Sequence, residues 1–292
     1  MKTLCFKPVF YSYLFIAFLL WSCSEDSGTT TDPPPEPPYQ PTLLSAEVTD
    51  LFVTDGNPDA DTVWIYEQGG PSASLSQQDL QAFPNYSDQL NVYIHQVLTY
   101  NNDLHSADLS LENAQAETEV NTEILDRVIT HFTAMDKRVV VIGHSYGAYV
   151  TTKYLADKGS AAAELFVIMA GRLDIEATTY EGLIEGTFYH YPDFTTPTVH
   201  PSMQPENNGH VVELLLLGAI AEPRYTQRLN DVDLSNVVYV YAQDDTAVGR
   251  LAQAELNFLN TKGVEIVTIE NGGHTAMFEA PHNQTIYTLM TE

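Results

Sequence analysis

Basic residues are scarce in this 292-residue chain: 12 Lys and Arg stand against 39 Asp and Glu, a formal charge of −27. So few cations exclude nucleic acid as a partner, because phosphate binding needs clustered Lys and Arg. They also exclude adsorption to an anionic bilayer through a basic patch. The excess acid reads as a solvated, aggregation-resistant surface. Cysteine is nearly missing, with only Cys5 and Cys23, so no disulfide framework or cysteine cluster can hold the fold. His95, His105, His131, His190, His200 and His210 show no His-Glu-x-x-His spacing, and with no such motif no metal is expected. Rossmann and P-loop glycine patterns are absent too. The apolar run at residues 9–21 is shorter than the roughly 20 residues a spanning helix needs. What is present is ordinary for a globular protein: 44% hydrophobic residues, in a chain long enough to bury one large core.

The N-terminus reads as an export signal. Lys2 and Lys7 make a positive start, no acid precedes Glu25, and the apolar run between them has the length of a signal h-region. The Leu20-Trp21-Ser22-Cys23 that follows resembles the lipobox of bacterial lipoproteins. That resemblance implies a signal peptide at residues 1–22, cut before Cys23, and acyl chains on Cys23. The mature chain would then hold no free thiol to oxidise. Residues 23–41 form the lipidated cysteine and a tether, in which Pro33-Pro34-Pro35-Glu36-Pro37-Pro38 favours an extended polyproline spacer. The resemblance places the protein in the bacterial cell envelope, attached to the membrane through this lipid anchor only. Ser24-Glu25-Asp26 resembles the acidic tag with which some outer-membrane lipoproteins reach the cell surface.

From residue 42 to residue 292 short β-rich runs alternate with amphipathic stretches, the pattern of an α/β domain with a mainly parallel central sheet flanked by helices. Strands are expected at residues 62–67, 90–95, 138–142, 165–169, 237–241 and 264–269. A helix is expected over 117–132, where Val120, Ile124, Val128 and Phe132 recur on one face. Residues 174–231 break the rhythm, being far longer than one crossover requires. Their aromatic cluster and the run Val211-Val212-Glu213-Leu214-Leu215-Leu216-Leu217 suggest a lid over a site, against the plainer alternative of a surface insertion with a small core of its own.

Gly143-His144-Ser145-Tyr146-Gly147 has the Gly-x-Ser-x-Gly spacing of a nucleophile elbow, fed by a hydrophobic strand and followed by a helix. Bulky side chains two positions either side of the serine would clash in so tight a turn, which exposes Ser145 at a helix N-terminus. A serine hydroxyl needs a base, and the base an orienting carboxylate.

With the elbow in this context the chain resembles the α/β-hydrolase fold superfamily, from Thr62 to the C-terminus. The resemblance implies the order Ser, acid, His. His274 lies in Gly273-His274-Thr275-Ala276-Met277-Phe278-Glu279-Ala280-Pro281, similar to the superfamily's Gly-His-x-x-x-x-Glu-x-Pro ending. Ala242-Gln243-Asp244-Asp245-Thr246-Ala247-Val248 resembles its Gly-x-x-Asp-x-x-Val turn and makes Asp245 the acid, with Asp244 and Asp174 as rivals. The oxyanion hole would be the amides of Tyr146 and Gly70, the latter in Gln68-Gly69-Gly70-Pro71, where relatives read His-Gly-x-Pro. An eight-stranded sheet is implied, with N-terminal strands reduced because little chain precedes Thr62. The implied activity is hydrolysis of a small-molecule carboxylic ester through an acyl-enzyme, without a cofactor. Two alternatives stay open: a peptidase resembling the prolyl aminopeptidases, suggested by Gly-Gly-Pro although Tyr146 stands where they carry Trp, and a non-catalytic surface binding protein on the same fold.

Overall fold

The computed structural model of the chain describes residues 38–292. The expected signal peptide, Cys23 and most of the tether lie outside the described residues. The compact unit begins at Tyr39, ahead of the expected start at residue 42. Buried Glu117 accounts for the earlier start: its Oε1 accepts from the Tyr39 hydroxyl and, at 3.0 Å, from the Thr42 amide.

Seven strands form the main sheet in the order β1-β3-β2-β4-β5-β8-β9. In chain order β1 (Phe52–Gly56), β2 (Thr62–Glu67) and β3 (Leu90–Ile94) come first. Helices α1 (Val97–Tyr100) and α2 (Leu111–Thr133) lead to β4 (Arg138–His144), α3 (Tyr146–Lys158) and β5 (Leu165–Met169). The long insertion holds α4 (Ala177–Ile184), the small hairpin β6 (Tyr189–His190) and β7 (Thr198–Val199), α5 (Asn208–Ala221) and α6 (Tyr225–Arg228). The chain then returns through β8 (Val237–Ala242), α7 (Gln253–Thr261), β9 (Glu265–Ile269) and α8 (His282–Thr291). Within the main sheet all neighbours pair parallel except β1, which runs antiparallel to β3 with Phe52 opposite Ile94.

The central strands read as unbroken hydrophobic runs because both faces are covered. On β2 and β4, Val63, Ile65, Val139 and Val141 enter one core with α2, α3 and α5. Trp64, Tyr66, Val140 and Ile142 enter the other, against Met277 and α8 residues Ile286 and Met290. Successive side chains alternate faces, so one strand builds two cores. Strand β1 escaped the sequence pattern because it lies at the sheet edge and is only half-buried. Helix α2 starts earlier than its apolar stripe, at Leu111, because the Ser110 side chain accepts the Asn113 amide at 3.1 Å and caps it. A single N-terminal strand, β1, precedes Thr62, so the sheet has seven strands rather than eight among the described residues.

Candidate active site

The C-terminal ends of the parallel strands bring the chemistry together, where ligands of open α/β sheets bind. Strand β4 ends at His144 and α3 begins at Tyr146. Ser145 sits alone between them with φ 56° and ψ −114°, a left-handed backbone that a non-glycine residue holds only under constraint. Its amide donates to Met169 O at 3.0 Å. The flanking glycines make this turn possible. A Cβ on Gly143 would lie 2.4 Å from Gly147 O, and one on Gly147 would lie 2.0 Å from Glu67 O. Backbone occupies the space in both cases, so neither side chain could be absorbed by a rotamer change.

His274 reaches Ser145 from the far side. It lies on a short 3₁₀ turn, Gly273–Phe278, following β9. Its Nε2 stands 2.9 Å from Ser145 Oγ, and its Nδ1 stands 2.7 Å from Asp245 Oδ2. Asp245 lies just after β8 and is 1% exposed. Its other oxygen, Oδ1, accepts the amides of Ala247 at 2.8 Å and Val248 at 3.2 Å. A carboxylate fixed by two amides can only accept from Nδ1–H, which leaves Nε2 as the acceptor for the serine hydroxyl. Ser145, His274 and Asp245 thus form one hydrogen-bonded chain from a hydroxyl on a strained, half-buried residue to a buried carboxylate.

Residues 95–285, well over half of the chain, match the alpha/beta hydrolase family. The chain belongs to that family. Solved structures share its fold. An alpha/beta hydrolase enzyme, MGS-M2, from a Medee basin deep-sea metagenome library is 16% identical, with a TM-score of 0.53 over 82% of this chain and 91% of its own. MenH from S. aureus is 14% identical, with a TM-score of 0.53 over 82% and 98% of the two chains. A thermophilic esterase from Thermogutta terrifontis is 13% identical, with a TM-score of 0.53 over 82% and 92%. At such identities the likeness is one of fold, which by itself assigns no activity. No curated protein matches the chain.

The rival acids of this alpha/beta hydrolase are engaged elsewhere. Asp174 accepts from Thr226 Oγ1 at 2.6 Å and Arg224 Nη2 at 3.0 Å, tying the start of the insertion to its end. Asp244 does not reach the imidazole, but it is no idle surface carboxylate either. Its two oxygens accept the amides of Gly272 and Gly273, each at 2.9 Å. These bonds favour the ionised form and hold its carboxyl below the usual range against the opposing effect of burial. From the other side, His144 Nε2 donates to His274 O at 3.1 Å. Burial and the neighbouring His274 depress the His144 pKa to about 4, so its ring is neutral and a carbonyl can fix which nitrogen carries the proton. Asp244 and His144 therefore clamp the backbone of the His274 loop. Sequence reading missed both roles, since their partners are main-chain atoms far along the chain.

Gln68 fills the position where the superfamily resemblance led to an expected His. Its side chain is buried, donates from Nε2 to Ser74 O at 2.8 Å, and accepts the Ser76 amide at Oε1. Its own carbonyl accepts from Gln96 Nε2 at 2.7 Å and from the Gly147 amide at 3.0 Å. The 68–76 loop is thus bonded to the elbow and to the end of β3. Gln96, 1% exposed, is a second positioning residue that the sequence did not announce. Beneath the loop, complete burial holds the Glu67 carboxyl well above the ordinary carboxylate range.

Gly70 and Tyr146 line one cavity with Ser145 and His274, of about 190 Å³. Tyr146 opens α3, so its amide precedes the helix's own hydrogen-bond ladder and is free to face a ligand. The insertion supplies much of the remaining wall, including Ile175, Leu183, Phe188 and Tyr191. Among the described residues, no three His, Cys, Asp or Glu side chains gather as a metal site.

Proposed function

We propose that this protein is a serine hydrolase that cleaves a carboxylic ester through an acyl-enzyme formed on Ser145. The observation that carries the reading is the hydrogen-bonded chain from Ser145 Oγ through His274 to Asp245. Ser145 Oγ attacks the ester carbonyl carbon while its proton passes to His274 Nε2. Asp245 holds the imidazole in the working tautomer and stabilises the imidazolium. The amides of Gly70 and Tyr146 receive the negative charge that develops on the carbonyl oxygen. As the tetrahedral species collapses, His274 returns the proton to the departing alkoxide. Water, deprotonated by the same imidazole, then releases the acid. In this reading residues 174–231 are a lid, and their apolar side chains give the substrate a dry wall.

The expected result in a substrate panel is hydrolysis of aryl and alkyl esters with turnover of proline aminoacyl-anilides far slower. An amide leaves as a poorer group and needs a site for its amine terminus. The reverse order would move the assignment to the aminopeptidase alternative. No turnover of either class, with the protein folded, would favour the non-catalytic binding protein.

We also propose that the protein is held in a bacterial envelope by acyl chains on Cys23. The support is sequence alone: the positive start, the apolar run and the lipobox-like Leu20-Trp21-Ser22-Cys23. Among the described residues no helix is long and apolar enough to cross a membrane. Cys23→Ala is expected to abolish palmitate incorporation, and a chain that begins near Pro41 is expected to be soluble on cell fractionation and fully active. Retention of the shortened chain by membranes would place the attachment elsewhere.

A further inference from the structure

A second cavity, of about 370 Å³, adjoins the one that holds Ser145, and Gly70, Phe188 and Leu217 line both. Pro71, Met203, Pro205 and Leu214 make the apolar part of its wall beside those shared residues, and Ser202, Glu206 and His210 contribute polar groups. Gln204 also lines it, but its amide is spent: Nε2 donates to the carbonyls of Phe188 and His200, and Oε1 accepts the Phe188 amide. No Lys or Arg contributes to the lining.

Glu213 stands out against this background. It lies on α5 between buried Val212 and Leu214 and is itself half-buried in the cavity wall. It forms no hydrogen bond or ion pair with another described residue. Burial raises its carboxyl above the usual range, opposed only by the nearby imidazoles of His105 and His210. A carboxylate drawn partly out of water without a partner costs free energy. A cationic ligand would recover that cost.

We propose that this cavity is the second arm of the substrate site and takes an organic cation, so that the ester cleaved at Ser145 carries an alkylammonium group. This assignment of substrate class rests on the hydrolase reading above. Glu213 supplies the counter-charge, and Phe188 in the shared wall an aromatic ring of the kind such ions favour. A neutral chain would leave Glu213 unpaired. The chain's net charge of −27 also favours the approach of a cation over that of an anion.

Two ester pairs test this, since either side of the scissile bond can reach across Gly70. One is choline butyrate against 3,3-dimethylbutyl butyrate; the other is ethyl 4-(trimethylammonio)butyrate against ethyl 5,5-dimethylhexanoate. The members of each pair differ only in charge. At pH 8 and low salt the wild-type protein is expected to prefer the cation in at least one pair by about tenfold in kcat/KM. In Glu213→Gln that ratio should fall to near one. Calorimetric titration with phenyltrimethylammonium reads the cavity without turnover, and Glu213→Gln should bind it about tenfold more weakly. Ratios near one in both wild-type pairs, or ratios and binding unchanged by Glu213→Gln, would overturn the proposal. Cation binding lost in Glu213→Gln, with no ester of either pair and no aryl ester hydrolysed by the wild type, would keep the cation site and overturn the hydrolase reading instead.

Discussion

Asp245→Asn is expected to fold normally and to lose about 10⁴-fold in kcat on an ester substrate, with KM little changed. The buried carboxylate accepts from His274 Nδ1 at 2.7 Å while the Ala247 and Val248 amides fix its other oxygen. An amide in its place can turn an N–H toward Nδ1, which moves the ring proton to Nε2. Nε2 then cannot accept from Ser145, and the imidazolium that forms during attack loses its counter-charge. Asp244→Ala separates orientation from proton chemistry. It removes the acceptor for the Gly272 and Gly273 amides but leaves the imidazole–carboxylate pair untouched. A slight drift of the His274 loop is expected to cost about 10²-fold in kcat, and Asp244→Asn, which keeps one acceptor oxygen, should recover part of that. Steady-state kinetics on the three variants decide the matter. If Asp244→Ala were the more damaged protein and Asp245→Asn stayed within about tenfold of wild type, the assignment of the acid would be wrong.

Gly147→Ala is the second change with a large expected effect, and here the measured quantity is stability. Gly147 is helical, and in an ordinary helix alanine would gain about 1 kcal/mol over glycine. The sign reverses because the new Cβ would sit 2.0 Å from Glu67 O and 2.8 Å from Gln68 O. Helix α3 must then move away from β2, which also breaks the Gly147 amide's bond to Gln68 O. A loss of about 3 kcal/mol follows, near the upper end for overpacking. For a domain of this size that lowers Tm by about 6–12 °C, and activity should fall because Tyr146 and the 68–76 loop separate. Thermal melts followed by circular dichroism measure the first effect. An unchanged Tm with full activity would show that the elbow tolerates space that the geometry denies it.

Much of this architecture could be read from residue order. The central strands were legible because a sheet covered on both faces leaves unbroken apolar runs, as in Val139-Val140-Val141-Ile142. That Ser145, Asp245 and His274 would meet was legible because each sits in a turn with its own local signature. What escaped depends on contacts distant in sequence. Strand β1 carries no alternating pattern since, at the sheet edge, it buries little. The earlier start of α2 was set by one capping serine, and the Tyr39 boundary by one buried glutamate on that helix. Asp244 could be read only as a rival acid, because the two glycine amides against its oxygens lie 28 and 29 residues along the chain. Gln68 stands where relatives read His, and its side-chain bonds to Ser74 O and the Ser76 amide join the two ends of the 68–76 loop. Backbone acceptors and donors have no residue type, so their partners cannot be read from the sequence.

The central claim, that Ser145 is an activated nucleophile, is tested most directly by reacting the folded protein with a fluorophosphonate and mapping the adduct by peptide mass spectrometry. Such probes trap a hydroxyl only where a base and an oxyanion hole support attack. The expected result is a single adduct on the peptide containing Gly143-His144-Ser145-Tyr146-Gly147, absent in Ser145→Ala and in protein unfolded before labelling. An adduct on another residue, or folded protein that stays unlabelled, would contradict the account.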